Sequence, residues 1–257
     1  MYEYEGLQDV IFIALYCVAA FAALLACVYL LCRRGNAFMQ EKGPESVKTI
    51  ETPNGPLRLG SGVRSSLRLR RWTAALMAAI VGSHVWWYAL GQIWLTDDRL
   101  VRNIVAIALD HMTLVPLTMA VLLAMLQDRR RPLWPWLVAE VSAVVVTAVM
   151  GIAGRDEFWG YDVLGYCQLA LIAGFIIYYA LALRHYGRWL RDNYANLEHK
   201  EVWQSLVFAV GLFVVYEVYT SNGGELLREY LSQIVTLVII AFLLWRVETL
   251  QELKDEA

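Results

Sequence analysis

The run VIFIALYCVAAFAALLACVYLLC, residues 10–32, carries no charged side chain. As a helix it would extend about 35 Å, more than the roughly 30 Å hydrocarbon core of a bilayer. A helix that is apolar on every side belongs either in the core of a large protein or in lipid. The rest of the chain decides between these. Of its 257 residues, 59% are hydrophobic and 18% charged, against about 25% charged in a soluble domain, and the mean hydropathy is +0.47. Lipid is the environment this composition fits.

Six further runs approach spanning length, at 72–95, 103–126, 133–152, 163–183, 202–219 and 226–245. The last is crowded at its start by Glu225, Arg228 and Glu229. The sequence therefore predicts an all-α, polytopic membrane protein, a bundle of seven transmembrane helices. The flank MYEYEGLQD ahead of the first run is acidic, unlike the basic start of a signal peptide, so the first helix is expected to be retained. Numbering the runs in order, 18 of the 22 Lys and Arg lie after runs one, three, five and seven. The positive-inside rule then places the N-terminus outside and the C-terminus in the cytoplasm. Four regions follow: an outer tail with the first helix, 1–32; a cytoplasmic linker, 33–71; the six-helix remainder, 72–245; and a cytoplasmic output helix, 246–257.

The linker holds EKGPESVKTIETPNGPLRLGSGVRSS, residues 41–66, whose Gly, Pro and Ser disfavour packed structure. It ends in SLRLRRW, 66–72, a basic stretch expected against anionic headgroups. QDRRRPLWPW, 127–136, reads as a tight inner turn, with Arg129 to Arg131 at the headgroups and Trp134 and Trp136 in the aromatic belt. RHYGRWLRDNYANLEHKEVWQ, 184–204, suits a helix that continues past the membrane and lies partly in its interface. Cys17, Cys27, Cys32 and Cys167 have no CxxC spacing, so they read as small buried hydrophobes rather than a disulfide or zinc framework.

Within the third run, IALDHMTLVPL at 107–117 sets Asp110 beside His111. Ionisable groups at such depth are costly unless they face a polar interior. Under the predicted topology His84, Asp110, His111 and Glu217 all belong to the outer half. Trp86, Trp87, Tyr88, Trp94, Trp159, Tyr161, Tyr216 and Tyr219 fall at the same level. Polar groups among aromatic walls make a small-molecule pocket, and the expected ligand-binding residues are His84, Asp110, His111, Glu217, Trp87, Tyr88 and Tyr216. The plain alternative is belt aromatics with structural interhelical hydrogen bonds. Glu140, about 10 Å from the inner face, is expected to bond a neighbouring helix or an arginine rather than join that pocket.

Several classes are disfavoured by residue type. The only lysines are Lys42, Lys48, Lys200 and Lys254, none in a span, so a retinal Schiff base has no amine to form on. His84 and His111 are a single imidazole pair for a haem. HExxH, GxSxG and P-loop signatures are absent, so no catalytic residue, enzyme activity, metal or cofactor is expected. A proton-coupled transporter could use Asp110, Glu140 and His84, yet matched pairs of broken helices are missing.

The end of the chain, LLWRVETLQELKDEA, repeats Val247, Leu250 and Leu253 at three-residue spacing, the pattern of a helix leaving the membrane with one apolar stripe. DRRRPLW at 128–134, YGRWLRDNYANLEHKEVWQS at 186–205 and LLWRVETL at 243–250 resemble the membrane region of bacterial membrane-anchored regulators that end in an AraC-type helix-turn-helix domain. The resemblance covers roughly residues 70–250, and 186–205 is its most specific part. It implies a sensor in the bacterial inner membrane, passing a signal to a cytoplasmic transcription-regulator output. It implies no nucleic acid contact by this chain itself, since the DNA-binding part is not among these residues. The expected partners are membrane lipids, a small-molecule ligand of undetermined identity and a second copy of the chain in a homodimer. A small transporter or channel, and a purely structural anchor or dimerisation module, are the alternatives.

Overall fold

The computed structural model describes residues 7–33, 47–52, 55–60, 66–93, 99–153, 160–194, 197, 200–220 and 225–253. Seven helices follow one another there: α1 (Leu7–Cys32), α2 (Leu67–Ile93), α3 (Arg99–Met125), α4 (Trp134–Ala153), α5 (Gly160–Asn193), α6 (Trp203–Thr220) and α7 (Glu225–Thr249). Five of them, α1, α2, α3, α5 and α7, are long and apolar enough to cross a membrane, by length and composition. α4 and α6 contribute shorter apolar stretches, Trp134–Val146 and Trp203–Tyr216. Each helix packs on the next in sequence, α7 returns to α1, and α2 also touches α7. The helices thus form a closed ring.

On α1, the buried positions are Ala19, Ala23, Ala26 and Leu30, while Phe21, Leu24, Leu25, Val28 and Leu31 are exposed. Small residues at three- and four-residue spacing let helix backbones approach closely. Large apolar side chains then point outwards, the reverse of a water-soluble helix. The pattern continues with exposed Ile177 and Leu181 on α5, Val207 and Val214 on α6, and Val238 on α7. An apolar exterior of this extent fits contact with lipid.

The interior is filled most densely where α2 begins and α3, α5 and α7 end. Leu69, Met77, Leu123, Met125, Tyr179, Tyr186, Leu190, Leu243, Val247 and Leu250 are among its buried side chains.

Four local features differ from the sequence reading. Residues 47–52 and 55–60 pair as two antiparallel strands, β1 (Val47–Thr52) and β2 (Gly55–Gly60), with Val47 paired to Gly60 and Thr52 to Gly55. The cue was the turn-forming sequence Pro53-Asn54-Gly55 between two short runs, inside a composition that otherwise reads as linker. Secondly, α2 begins at Leu67, so LRLRR is helical, and Arg70 is buried rather than at headgroups because it pairs with Glu248. Thirdly, Arg131 is buried in a two-point bond to Asp128, leaving Arg129 and Arg130 exposed. Fourthly, Cys17, Cys32 and Cys167 are exposed on the outer surface and only Cys27 is half-buried.

Candidate functional site

Asp110 sits midway along α3, and its carboxylate is met by one face of α2. Ser83 Oγ donates to Oδ1 at 2.6 Å, Trp86 Nε1 to Oδ1 at 3.1 Å and Trp87 Nε1 to Oδ2 at 2.7 Å. Positions 83, 86 and 87 share a face because three- and four-residue steps return to the same side of a helix. Gly82 completes the arrangement: a Cβ there would lie 2.8 Å from Cζ3 of Trp86. Only a residue without a side chain lets that indole lie across α2 and reach α3.

His84 points about 100° away from Ser83. Its Nδ1–H donates to the Ile80 carbonyl at 2.8 Å, and Nε2 stands 3.1 Å from Oε1 of Gln233 on α7, a bond for which the Gln233 amide turns its N–H towards the ring. The Tyr16 ring packs 4.5 Å from the imidazole, and its hydroxyl donates to the His84 carbonyl. Asp110 lies within Coulombic range of both Tyr16 and His84, so α1, α2, α3 and α7 share this first cluster.

His111 joins a second one. Its Nδ1 is 3.7 Å from Oε1 of Glu140 on α4, and its ring meets Tyr216 of α6 edge to face at 6.4 Å. Gln168 Nε2 of α5 donates to the same Glu140 oxygen at 2.5 Å.

Adjacent residues on a helix point about 100° apart, so Asp110 and His111 serve different neighbours. The expected single recess is thereby divided. Asp110, Trp87 and His84 lie in the first cluster, His111 and Tyr216 in the second with Glu140. Tyr88 is 65% exposed and belongs to neither. Glu217 lies on α6, but its side chain is outside the described residues, as are those of Trp94, Trp159, Tyr161 and Tyr219.

Glu140 does bond a neighbouring helix, and it also stands beside His111, which the depth ladder had separated from it. His111 is fourteen residues from the end of α3 and Glu140 six from the start of α4. For helices side by side, α4 must therefore begin about 12 Å deeper than α3 ends. Residues 126–133, with buried Leu126 and Arg131, fold into the bundle to make that offset. Gln168 and Gln233 carried no distinguishing sequence signal, since a single amide in an apolar run does not say which helix it faces.

A third polar group caps the other end of the bundle. Arg70 Nη1 donates to Oε1 of Glu248 at 3.0 Å, both side chains nearly water-free. Arg246 Nη2 donates to the Glu201 carbonyl at 2.6 Å and Tyr186 Oη to the Lys200 carbonyl at 3.2 Å. The Gln127 side chain donates to the Gln251 carbonyl at 2.9 Å and accepts from the Leu253 amide at 2.8 Å. The predicted output helix accordingly stops at Thr249. Gln127 takes over backbone groups of residues 251 and 253, and Val247 and Leu250 are buried in the bundle instead of forming a free stripe. The stretches 186–205 and 243–250 supply Tyr186, Lys200, Glu201, Arg246 and Glu248 to this cap.

The fold defines a polytopic helical bundle of membrane-protein character. No protein-family model matches the chain, and no curated protein or solved structure matches it. The likeness to membrane-anchored AraC-type regulators rests on the quoted stretches alone.

Proposed function

We propose that the chain is the sensory part of a multi-pass protein of the bacterial inner membrane, with seven crossings, an outer N-terminus and a cytoplasmic C-terminus. In this reading a small molecule at the outer polar cluster biases how α7 leaves the bundle, and that exit drives a cytoplasmic transcription-regulator output. The observation that carries it is a double tie between α2 and α7. His84 meets Gln233 near one end and Arg70 meets Glu248 near the other. Those contacts are fourteen residues apart on α2 and fifteen on α7, about 21 Å, and their order shows that the two helices run antiparallel. A shift at the His84 end therefore has a direct route to the exit.

A ligand moves such an equilibrium only through unequal affinity for two arrangements of the ties. The lysine and arginine distribution supports the orientation.

The test reads the exit directly. Leu250 N bonds the Arg246 carbonyl and Leu253 N bonds Gln127, so both amides should be protected from hydrogen exchange. Gln233→Leu, at the far end, is expected to raise their exchange, as Gln127→Ala does at Leu253 locally. A response to Gln127→Ala with none to Gln233→Leu would remove the sensory reading.

A second reading, a small proton-coupled transporter or channel, is favoured by the acid at Glu140, buried between helices. It requires flux in liposomes that Glu140→Gln abolishes.

A further inference from the structure

The second cluster holds an unusual concentration of unsatisfied polarity. His111 Nδ1, Glu140 Oε2 and Gln168 Oε1 are all buried without a hydrogen-bond partner. Glu140 is 1% exposed and Gln168 0%. A buried polar atom without a partner loses its hydration and gains nothing in return, so three on neighbouring side chains mark a place that a ligand would relieve.

Their chemistry narrows the ligand. Because Gln168 donates from Nε2 to the Glu140 carboxylate, turning its amide would set oxygen against oxygen, and its free Oε1 is an acceptor. Glu140 Oε2 is a second acceptor, and a cation beside it would favour the carboxylate and its negative charge. His111 Nδ1, too far from Glu140 Oε1 at 3.7 Å for a hydrogen bond, offers a lone pair as a third when the ring takes the Nε2–H tautomer. One imidazole and one carboxylate are too few for zinc. Among the described residues no group of three His, Cys, Asp or Glu could hold a metal. Calcium and magnesium require six or more oxygens. Three acceptors and one negative charge match a protonated primary amine, whose –NH3+ has three donors. The Tyr216 ring beside His111 adds an aromatic wall suited to a cation.

We propose that His111, Glu140 and Gln168 form a site for a primary ammonium group, either the ammonium ion or the head of a small primary amine. The site is reached past His111, whose side chain keeps 14% exposure. It stands on these side chains and does not depend on the sensory reading.

Purified full-length protein in detergent would be titrated with ammonium, methylammonium, tetramethylammonium and sodium chlorides at constant ionic strength, following thermal stability. Saturable stabilisation by ammonium or methylammonium, absent with tetramethylammonium and sodium, is expected. Tetramethylammonium carries the same charge but no N–H. Preference for ammonium over methylammonium identifies the free ion, and the reverse identifies an alkylamine head. Glu140→Gln should weaken the effect about tenfold or more, since a charge-assisted bond is lost. His111→Phe serves the same purpose if that variant does not fold. Equal responses to all four salts, or none, would overturn the proposal and leave a buried water bridging the three groups. Ammonium binding with no change in exchange at Leu250 and Leu253 would uphold this site as an ammonium site uncoupled from the α7 exit.

Discussion

Three donors converge on the Asp110 carboxylate from one face of α2, and what happens when it is removed follows from their burial. Asp110→Ala strands Ser83, Trp86 and Trp87 together. Interhelical hydrogen bonds in membranes average about 0.6 kcal/mol each, so with three half-buried donors a loss of about 2 kcal/mol is expected. Asp110→Asn keeps an acceptor for one or two of the donors but turns an amide N–H towards the third. Its loss should be smaller. Unfolding titrations in mixed micelles of the two variants and the parent would check the order, and an alanine variant as stable as the parent would show that the carboxylate does not hold these donors.

Between elements, the decisive contact is the buried pair Arg70–Glu248, which ties the start of α2 to the end of α7. Removing the arginine takes its charge away from the buried Glu248 carboxylate, at about 3–5 kcal/mol. Arg70→Ala should therefore destabilise strongly. Arg70→Met with Glu248→Leu should regain most of that loss, because two apolar side chains of similar size need no partner. The same unfolding measurement checks this, and a double variant no better than Arg70→Ala would mean that Arg70 matters through contacts other than Glu248, such as its bond to the Arg33 carbonyl. Nearby, Gln127 holds the backbone at Gln251 and Leu253, so the path of the chain leaving α7 is set by the segment that follows α3.

For the whole molecule, the ring of helices and its apolar exterior predict where the loops lie. With seven crossings, reporters placed in 33–46 and after 253 should be cytoplasmic, and reporters before residue 7 or within 221–224 external. Labelling of single cysteines in intact cells, in a variant lacking the four native ones, measures this. Termini on the same side would mean an even number of crossings and would remove the outer location of the first cluster.

How much of this was legible in the chain order can be judged from particular residues. The helices could be read because an apolar run must satisfy its own backbone hydrogen bonds wherever it is buried, and that requirement is local. The unusual standing of Asp110 and His111 was legible for the same reason, since charge in an apolar run is conspicuous. Their division between two clusters was not, because it depends on which helix occupies each side of α3. Nor was Glu140 beside His111, which needs α4 to start deeper than α3 ends, or Arg70 against Glu248, which needs two helices far apart in sequence to meet. Periodicity and composition act within one element and by themselves determined seven apolar helices with acids and imidazoles inside them. Only the packed ring decided which polar atoms are satisfied and which are left open, because pairing depends on distances between elements.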